Sequence, residues 1–410
     1  MDWHAAKYVS LKTMSNGSPR ILYVMRIWPS ESGAYVRSLN ILRALQQIAH
    51  VEVIGLEGVG SSSSADSDFE FAHTFRFELR SNRGLSEKIR WTVDPEQPYP
   101  NGFAVEDEAV RRILSRLASF DLVWFSTIHA ADMFPVAAWP NSILDIDDLQ
   151  SSHVRTSLNT QAGMWTHFSA LRKAFVWKRR EKLLGKRFTL LCACSEEDRR
   201  YLTELGVEVP VHVIPNAFEK PDAEPVRNPA MPPRIGFIGF FEYAPNREGV
   251  RWFVDQCWPQ IKAAVPDARL RLIGKGSDGV RTLDGSDVDA LGWLTDPSDE
   301  IRTWSAMVVP IRIGAGTRVK IAQAFSLKCP VVSTTLGAHG YAGVNECDMF
   351  LADTAASFSG ACVRAIREPA LAVEIAERAW RRYLDHWTWE AVRPKVWAAA
   401  EDCLRLRTTA

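Results

Sequence analysis

The sequence predicts an α/β chain of two domains, each built on a parallel sheet, that face one another across a cleft. Three observations predict it. Short apolar runs alternate with stretches of helical periodicity, the pattern of successive βαβ units. Many of the runs are apolar almost throughout, as strands covered on both faces require. The alternation occurs twice, on either side of residues 219–233, where five prolines and little apolar content mark a linker.

Composition narrows the class further. The 410 residues suit two or three domains, and 46% hydrophobic content is too high for a disordered chain. Basic and acidic residues balance at 49 each, which argues against nucleic acid as a partner, since that surface needs a basic surplus. No run of about 18 apolar residues is present, so no spanning helix is expected. Residues 1–18 read as a loose leader without the apolar core of a signal peptide. The seven cysteines are odd in number and without CxxC spacing, so neither a disulfide framework nor a zinc knuckle is legible. A cytoplasmic location is expected.

The elements follow in order. Arg20–Met25 is a strand, closed by a turn at 28–33. A helix follows with Val36, Leu39, Leu42, Leu45 and Ile48 on one face, and a strand over 51–55 completes the first βαβ unit. The serine run 61–64 is a solvated loop, and residues 65–105 carry too little periodicity to place. Order returns with a helix over 105–118 and strands at 122–125 and 142–145. A long basic helix covers 160–186. A strand at 189–193, a helix at 196–204 and a strand at 211–214 complete the domain over 19–215. The linker takes 216–233. Strands at 234–238, 270–273, 288–291, 306–310 and 330–333 alternate with helices at 246–264, 298–304, 317–327, 354–367 and 370–385, forming the domain over 234–385. Residues 386–410 form a last helix with Pro394 as a kink or restart.

The sharpest segment runs from Val309 to Gln323. A strand ends at Pro310, and Gly314 and Gly316 make a loop whose backbone can approach a ligand closely. Thr317 is placed to cap the next helix. The first amides of that helix are free donors and its dipole favours an anion. Three-residue spacing sets Thr317, Lys320 and Gln323 on one wall, with Arg318 beside them. That geometry suits a diphosphate next to a hydroxyl pair. A glycine loop with ordinary solvated cations is the other reading.

Here the residues resemble a known family. The chain is similar to GT-B glycosyltransferases of the retaining family 4 type, group 1 glycosyl transferases, in the subgroup of polysaccharide biosynthesis. Val213-Ile-Pro-Asn216 resembles the hinge turn between the domains. Gly236 to Gly239, then Tyr243 to Gly249, resembles the first strand and loop of the nucleotide domain. Leu291 to Leu294 resembles the loop at the nucleobase. Gly314 to Gln323, followed by Pro330 to Gly340, resembles the donor-phosphate and ribose site. The likeness implies two Rossmann-like domains with a C-terminal helix returning toward the first. It assigns donor binding to Gly239, Leu294, Gly314, Gly316, Thr317 and Gln323, with Lys320 and Arg318 stabilising the leaving phosphate. The chain also departs from the family. The Glu-x7-Glu pair is replaced by Ala315 and Gln323, and Phe240 and Glu248 stand near the family's Arg–Lys pair. Arg318 and Lys320, and less directly Arg312, replace that lost charge.

The first half offers fewer signals. Gly33 resembles the family's glycine loop beneath donor and acceptor, and it is also a plain βα-turn glycine. His129 follows strand 122–125 near where relatives contact the sugar, and a structural histidine is the alternative. Asp145-Ile-Asp147-Asp148 invites a metal, but the other features of a metal-dependent fold are missing. Asp147 and Asp148 are better read as binding acceptor hydroxyls or as loop caps. The 160–186 helix carries seven cations among aromatics. It reads as a peripheral contact with the inner membrane face, or as a solvated helix whose tryptophans are buried.

The function expected is retaining transfer of a sugar from a nucleotide-diphosphate donor to a saccharide or lipid-linked acceptor in cell-surface polysaccharide synthesis. The resemblance implies neither metal nor cofactor. Ala315 and Gln323 motivate the alternative, a nucleotide-binding pseudoenzyme or a partner subunit of another transferase. Epimerisation on the same fold would need acid–base carboxylates that the sequence does not present.

Overall fold

The computed structural model of the chain describes residues 17–26, 33–58, 73–79, 89, 92–96, 103–104, 107–158, 164–280 and 286–409. Most of the leader, the turn at 28–32, the serine run 61–64 and the first residues of the 160–186 helix lie outside them.

Two sheets organise the molecule. The first contains β1 (Arg20–Arg26), β2 (His50–Gly58), β3 (His73–Leu79), β4 (Phe103–Ala104), β5 (Leu122–Phe125), β6 (Ser142–Ile146), β7 (Leu190–Ala193) and β8 (Val211–Val213). Their order is β4-β3-β2-β1-β5-β6-β7-β8, parallel except for the β3–β4 pair. The second contains β9 (Arg234–Ile238), β10 (Arg269–Ile273), β11 (Val288–Gly292), β12 (Ala306–Val309), β13 (Val331–Ser333) and β14 (Phe350–Leu351). Their order is β11-β10-β9-β12-β13-β14, all parallel. Central strands such as β5, β7 and β12 are buried along their whole length, which accounts for their unbroken apolar runs.

Each sheet reverses its winding at its first strand. β1 lies between β2 and β5, and β9 lies between β10 and β12. A crevice opens at the carboxyl ends of the strands on such a switch point, and ligands of open α/β sheets bind there. The loops after β1, β5, β9 and β12 are therefore the ones that matter.

Several local expectations need correction. The unplaced stretch 65–105 contains β3 and β4. β3 reads His73-Thr-Phe-Arg-Phe-Glu-Leu79, which interleaves polar residues and so lacks the continuous apolar run of the other strands. The long helix of 160–186 is broken at Leu183 into Met164–Lys182 and Leu184–Arg187, and a separate helix, Gln150–Ser157, precedes it. The 246–264 helix starts at Ala244, with Pro245 in its first turn. It widens into a π-type turn over Phe253–Cys257 before resuming at Trp258–Ala264. Pro259 has no N–H for the carbonyl four residues back, which explains the interruption there.

The proline-rich segment is strapped down. Arg227 Nη1 donates to Ile301 O at 2.9 Å, Asn228 N to Arg302 O at 3.1 Å and Ala230 N to Thr303 O at 2.9 Å. The last helix, Trp389–Thr409, runs unbroken through Pro394 and lies on the first domain. Val392, Val396, Ala399 and Cys403 share a core with Ile21, Leu42, Ile143 and Leu190. Trp397 Nε1 donates to Ala44 O at 2.8 Å. The two chain crossings between the domains run side by side, with Phe218 N donating to Trp387 O at 2.9 Å.

Candidate active site

β12 is buried along its length, so the chain leaves the sheet as a fixed strand and enters the 310–318 loop. Gly314 and Gly316 stand at φ +116° and +72°, the left-handed region that favours glycine. At Gly316 a second constraint applies, because a Cβ there would collide with Asp148 Oδ1 of the first domain. Gly314 N donates to Thr156 Oγ1 at 2.8 Å, a second grip from across the cleft. The loop therefore faces the crevice and is seated on the first domain.

The next helix begins at Val319, with Arg318 at its N-cap and no side-chain cap. Thr317 is thus neither the cap nor on the helix. Its hydroxyl accepts from Asn216 Nδ2 at 2.8 Å instead. Only Lys320 and Gln323 share a helix face. Ile321 N donates to Arg318 O at 2.9 Å and Gly314 N is taken by Thr156, so fewer amides are free than the sequence suggests.

The cations are held differently from one another. Lys320 Nζ donates to Asn246 Oδ1 at 3.0 Å and sits 3.8 Å from the centroid of the Phe237 ring. Burial, and then the Arg318 charge, pushes its pKa well below the ordinary lysine value. Gly239 lies directly over it, since a Cβ at 239 would come within 2.9 Å of Lys320 Nζ and 2.8 Å of Asn246 Nδ2. Arg318 Nη1 donates to Ala315 O at 2.5 Å, while its Nε and Nη2 are buried with no hydrogen-bond partner. Buried donors of this kind are rare, and a guanidinium edge with two of them matches the two oxygens of a phosphate. Arg312 is otherwise engaged, paired with Glu248 at 3.6 Å and lying over Trp252.

The opposite wall comes from the ends of β6, β7 and β8. Asp145 is fully committed, with Arg37 donating from Nε at 2.9 Å and Nη2 at 2.7 Å to its two oxygens. Both groups are buried, and this pair removes Asp145 from any ligand role. Asp147 Oδ1 accepts from Asn216 Nδ2 at 3.3 Å. Asp148 is pushed up to about 7, chiefly by burial and next by Asp147, with Arg318 opposing. Tyr243, from the loop after β9, feels the same group, its phenol pushed up to about 12 by burial and by Asp148. His339 Nε2 lies 3.0 Å from Asp198 Oδ1 across the cleft, and that bond raises the histidine's pKa. Among the described residues no cluster of three His, Cys, Asp or Glu side chains is placed to hold a metal ion.

The fold thus gathers Gly33, Asp147, Asp148, Gly239, Gly314, Gly316, Thr317, Arg318 and Lys320 at one crevice. Gly33 closes against the helix start, where a Cβ on it would meet Val319 Cγ2 at 3.3 Å. His129 is set among Arg26, Asp132 and the Trp177 ring, its Nδ1 buried without a partner and its pKa lowered by burial. Leu294 is half-buried against the second core, beside exposed Trp293. Gln323 is half-buried on the face shared with Lys320. Sequence reasoning missed Thr156 and the pairing of Asp198 with His339, and it quoted Asn216, Tyr243 and His339 within the family-like segments without these partners. No periodicity marks these residues, because the closure of two domains brings them in.

Two family models divide the chain. Residues 32–217 match the glycosyl transferase 4-like domain, and residues 232–368 match the model described as glycosyl transferases group 1. The chain belongs to the group 1 glycosyl transferases. Its fold is accordingly that of the GT-B glycosyltransferases. Among solved structures, the chain is similar to the sucrose-phosphate synthase of Thermosynechococcus elongatus, at TM-score 0.66 and 15% identity, over 96% of this chain and 100% of that one. It is also similar to Anabaena HepE, solved in complex with UDP-glucose, at TM-score 0.60 and 13% identity, over 94% and 100% of the two chains. A Klebsiella pneumoniae relative, described as an uncharacterized 44.6 kDa protein in cps region, is 21% identical over 213 residues. That match covers 49% of this chain and 53% of the relative, so the chain spans about half the length of the curated relative it matches.

Proposed function

We propose that this group 1 glycosyltransferase moves a sugar, with retention of anomeric configuration and without a metal, from a nucleotide-diphosphate donor to a saccharide or lipid-linked acceptor of cell-surface polysaccharide. The carrying observation is the Arg318 guanidinium, with Nε and Nη2 buried and unpartnered at the Gly314–Gly316 loop on the second domain's switch point. The UDP-glucose with which HepE was solved and the cps region of the Klebsiella relative support the donor class and the pathway class.

In this reading the donor's diphosphate lies against the 314–320 segment. Arg318 and Lys320 oppose the charge that builds as the sugar leaves, and Gln323 bonds a ribose hydroxyl. Asp147 and Asp148 hold the acceptor hydroxyl, which attacks from the leaving-group face, and the departing phosphate oxygen accepts its proton. No protein nucleophile is required. A diphosphate beside Lys320 would oppose the effect of burial and of Arg318 and favour the charged amine.

The test is transfer and donor hydrolysis with uridine-, guanosine- and adenosine-diphosphate sugars, with the anomeric configuration of the product read by NMR. Lys320→Ala is expected to lose about 10²–10³ in kcat while melting like the wild type. Wild-type turnover in that variant would remove the phosphate site. Tight nucleotide binding with neither hydrolysis nor transfer would favour the pseudoenzyme.

A further inference from the structure

The helix Met164–Lys182 has two faces of opposite character. Ala170, Val176, Trp177, Arg180 and Glu181 are buried on one of them. On the other, Met164, Trp165, Phe168, Leu171 and Phe175 fall within a single stripe at helical spacing, and all five are exposed. Trp165 is 81% exposed, Phe168 65% and Phe175 62%. The reading in which this segment's tryptophans are buried therefore applies to Trp177 alone.

The same outward side carries Arg172, Lys178, Arg179 and Lys182, all exposed. The helix has one acidic residue, Glu181, and it is buried on the inner face. The Arg179 guanidinium lies 5.8 Å from the Phe175 ring, so cation and aromatic share one patch. In a chain whose net charge is zero this is a local surplus.

We propose that this face docks on an anionic lipid bilayer, with the aromatic stripe entering the headgroup boundary and the cations meeting acidic headgroups. Charge complementarity selects the occupant. An apolar stripe bordered by cations, with no exposed acid on the helix, fits a negative interface. A second copy of the chain would bring cations against cations in a symmetric contact. A helix buried on one side and apolar on the other lies in the plane of the surface it docks on. The helix packs on Gln150–Ser157, whose Thr156 holds Gly314, so the docked face stands one helix away from the cleft. The proposal rests on the transferase reading only in that a lipid-carried acceptor would be delivered beside that cleft.

The test is co-sedimentation of the full chain with vesicles of phosphatidylcholine alone and with vesicles in which phosphatidylglycerol replaces part of it, without sugar nucleotide. Pelleting with the anionic vesicles only, reversed by salt, is expected. The emission difference between wild type and Trp165→Phe should shift to the blue on binding. Phe168→Ser and Phe175→Ser should each weaken partition roughly tenfold, and Lys178→Glu with Arg179→Glu should weaken it by about fivefold or more per site. All five side chains are exposed, so unchanged melting certifies the fold of each variant. Wild type that stays in solution with anionic vesicles, or variants that partition like wild type, would overturn the docking. Capture of a protein partner through this face without vesicle binding would do the same. Donor hydrolysis on the same preparations separates the readings, because turnover without vesicle binding overturns the docking alone.

Discussion

Asn216 Nδ2 donates 2.8 Å to Thr317 Oγ1, tying the end of the first domain to the glycine loop of the second. The same residue's Oδ1 accepts from Arg37 Nη1 at 3.0 Å, and Arg37 is forked onto Asp145. A buried ion pair in one domain is thus linked by a short chain of hydrogen bonds to the loop that carries Arg318.

Removing Asn216 tests that connection. Asn216→Ala is expected to cost about 1–2 kcal/mol, since Arg37 Nη1 keeps Ile214 O as an acceptor. The larger effect should fall on the donor: a raised KM for the sugar nucleotide with a smaller change in kcat. Steady-state kinetics and thermal melting on the same variant separate the two.

Gly316→Ala should be worse than its size suggests. It strains a backbone at φ +72°, worth roughly 1–3 kcal/mol, and it drives a Cβ into Asp148. Loss of transfer is expected, and thermal stability should recover in part in Gly316→Ala combined with Asp148→Gly, because the side-chain collision is relieved while the backbone strain stays. A double variant no better than the single one would show that backbone strain alone is responsible.

Two groups at the crevice make stability depend on pH in the same direction. Asp148 holds its proton more tightly in the folded chain, with a pKa of about 7 against an ordinary 3.8. The wild type should therefore lose stability relative to Asp148→Asn as pH rises through that window, and level off above it. His339 is raised above its ordinary 6.5 by Asp198, so its contribution is full below 6.5 and is lost as pH rises through the folded value. His339→Gln should accordingly be less stable than wild type in acid and converge with it in mild alkali. Melting temperatures of the three proteins across a pH series measure both effects.

Asp145→Ala leaves the Arg37 guanidinium buried without its carboxylate. A loss of about 3–5 kcal/mol in denaturant unfolding is expected. A loss near zero would mean that the backbone acceptor and Asn216 suffice for Arg37.

Some of this was legible in the chain and some was not, for identifiable reasons. The run Ala306–Val309 read as a strand because it is buried on both faces, and Gly314 and Gly316 read as a tight bend because positive φ favours glycine. β3 was not legible, because its polar residues break the apolar run. The membrane-like stripe on Met164–Lys182 was visible only as a mixture of cations and rings, and the structure had to say which ring pointed outward.

The amino-acid order by itself determined two strand–helix domains, the bend after Pro310 and the residue types that line it. These are local properties of burial period and backbone freedom. Only the tertiary structure decided that Thr317 serves Asn216 rather than its own helix, that Asp145 is spent on Arg37, and that Asp148 closes over Gly316. Each of those pairs is separated by about a hundred residues or more, and two of the three span the two domains. In those two, neither partner can be predicted until the two domains are packed against one another.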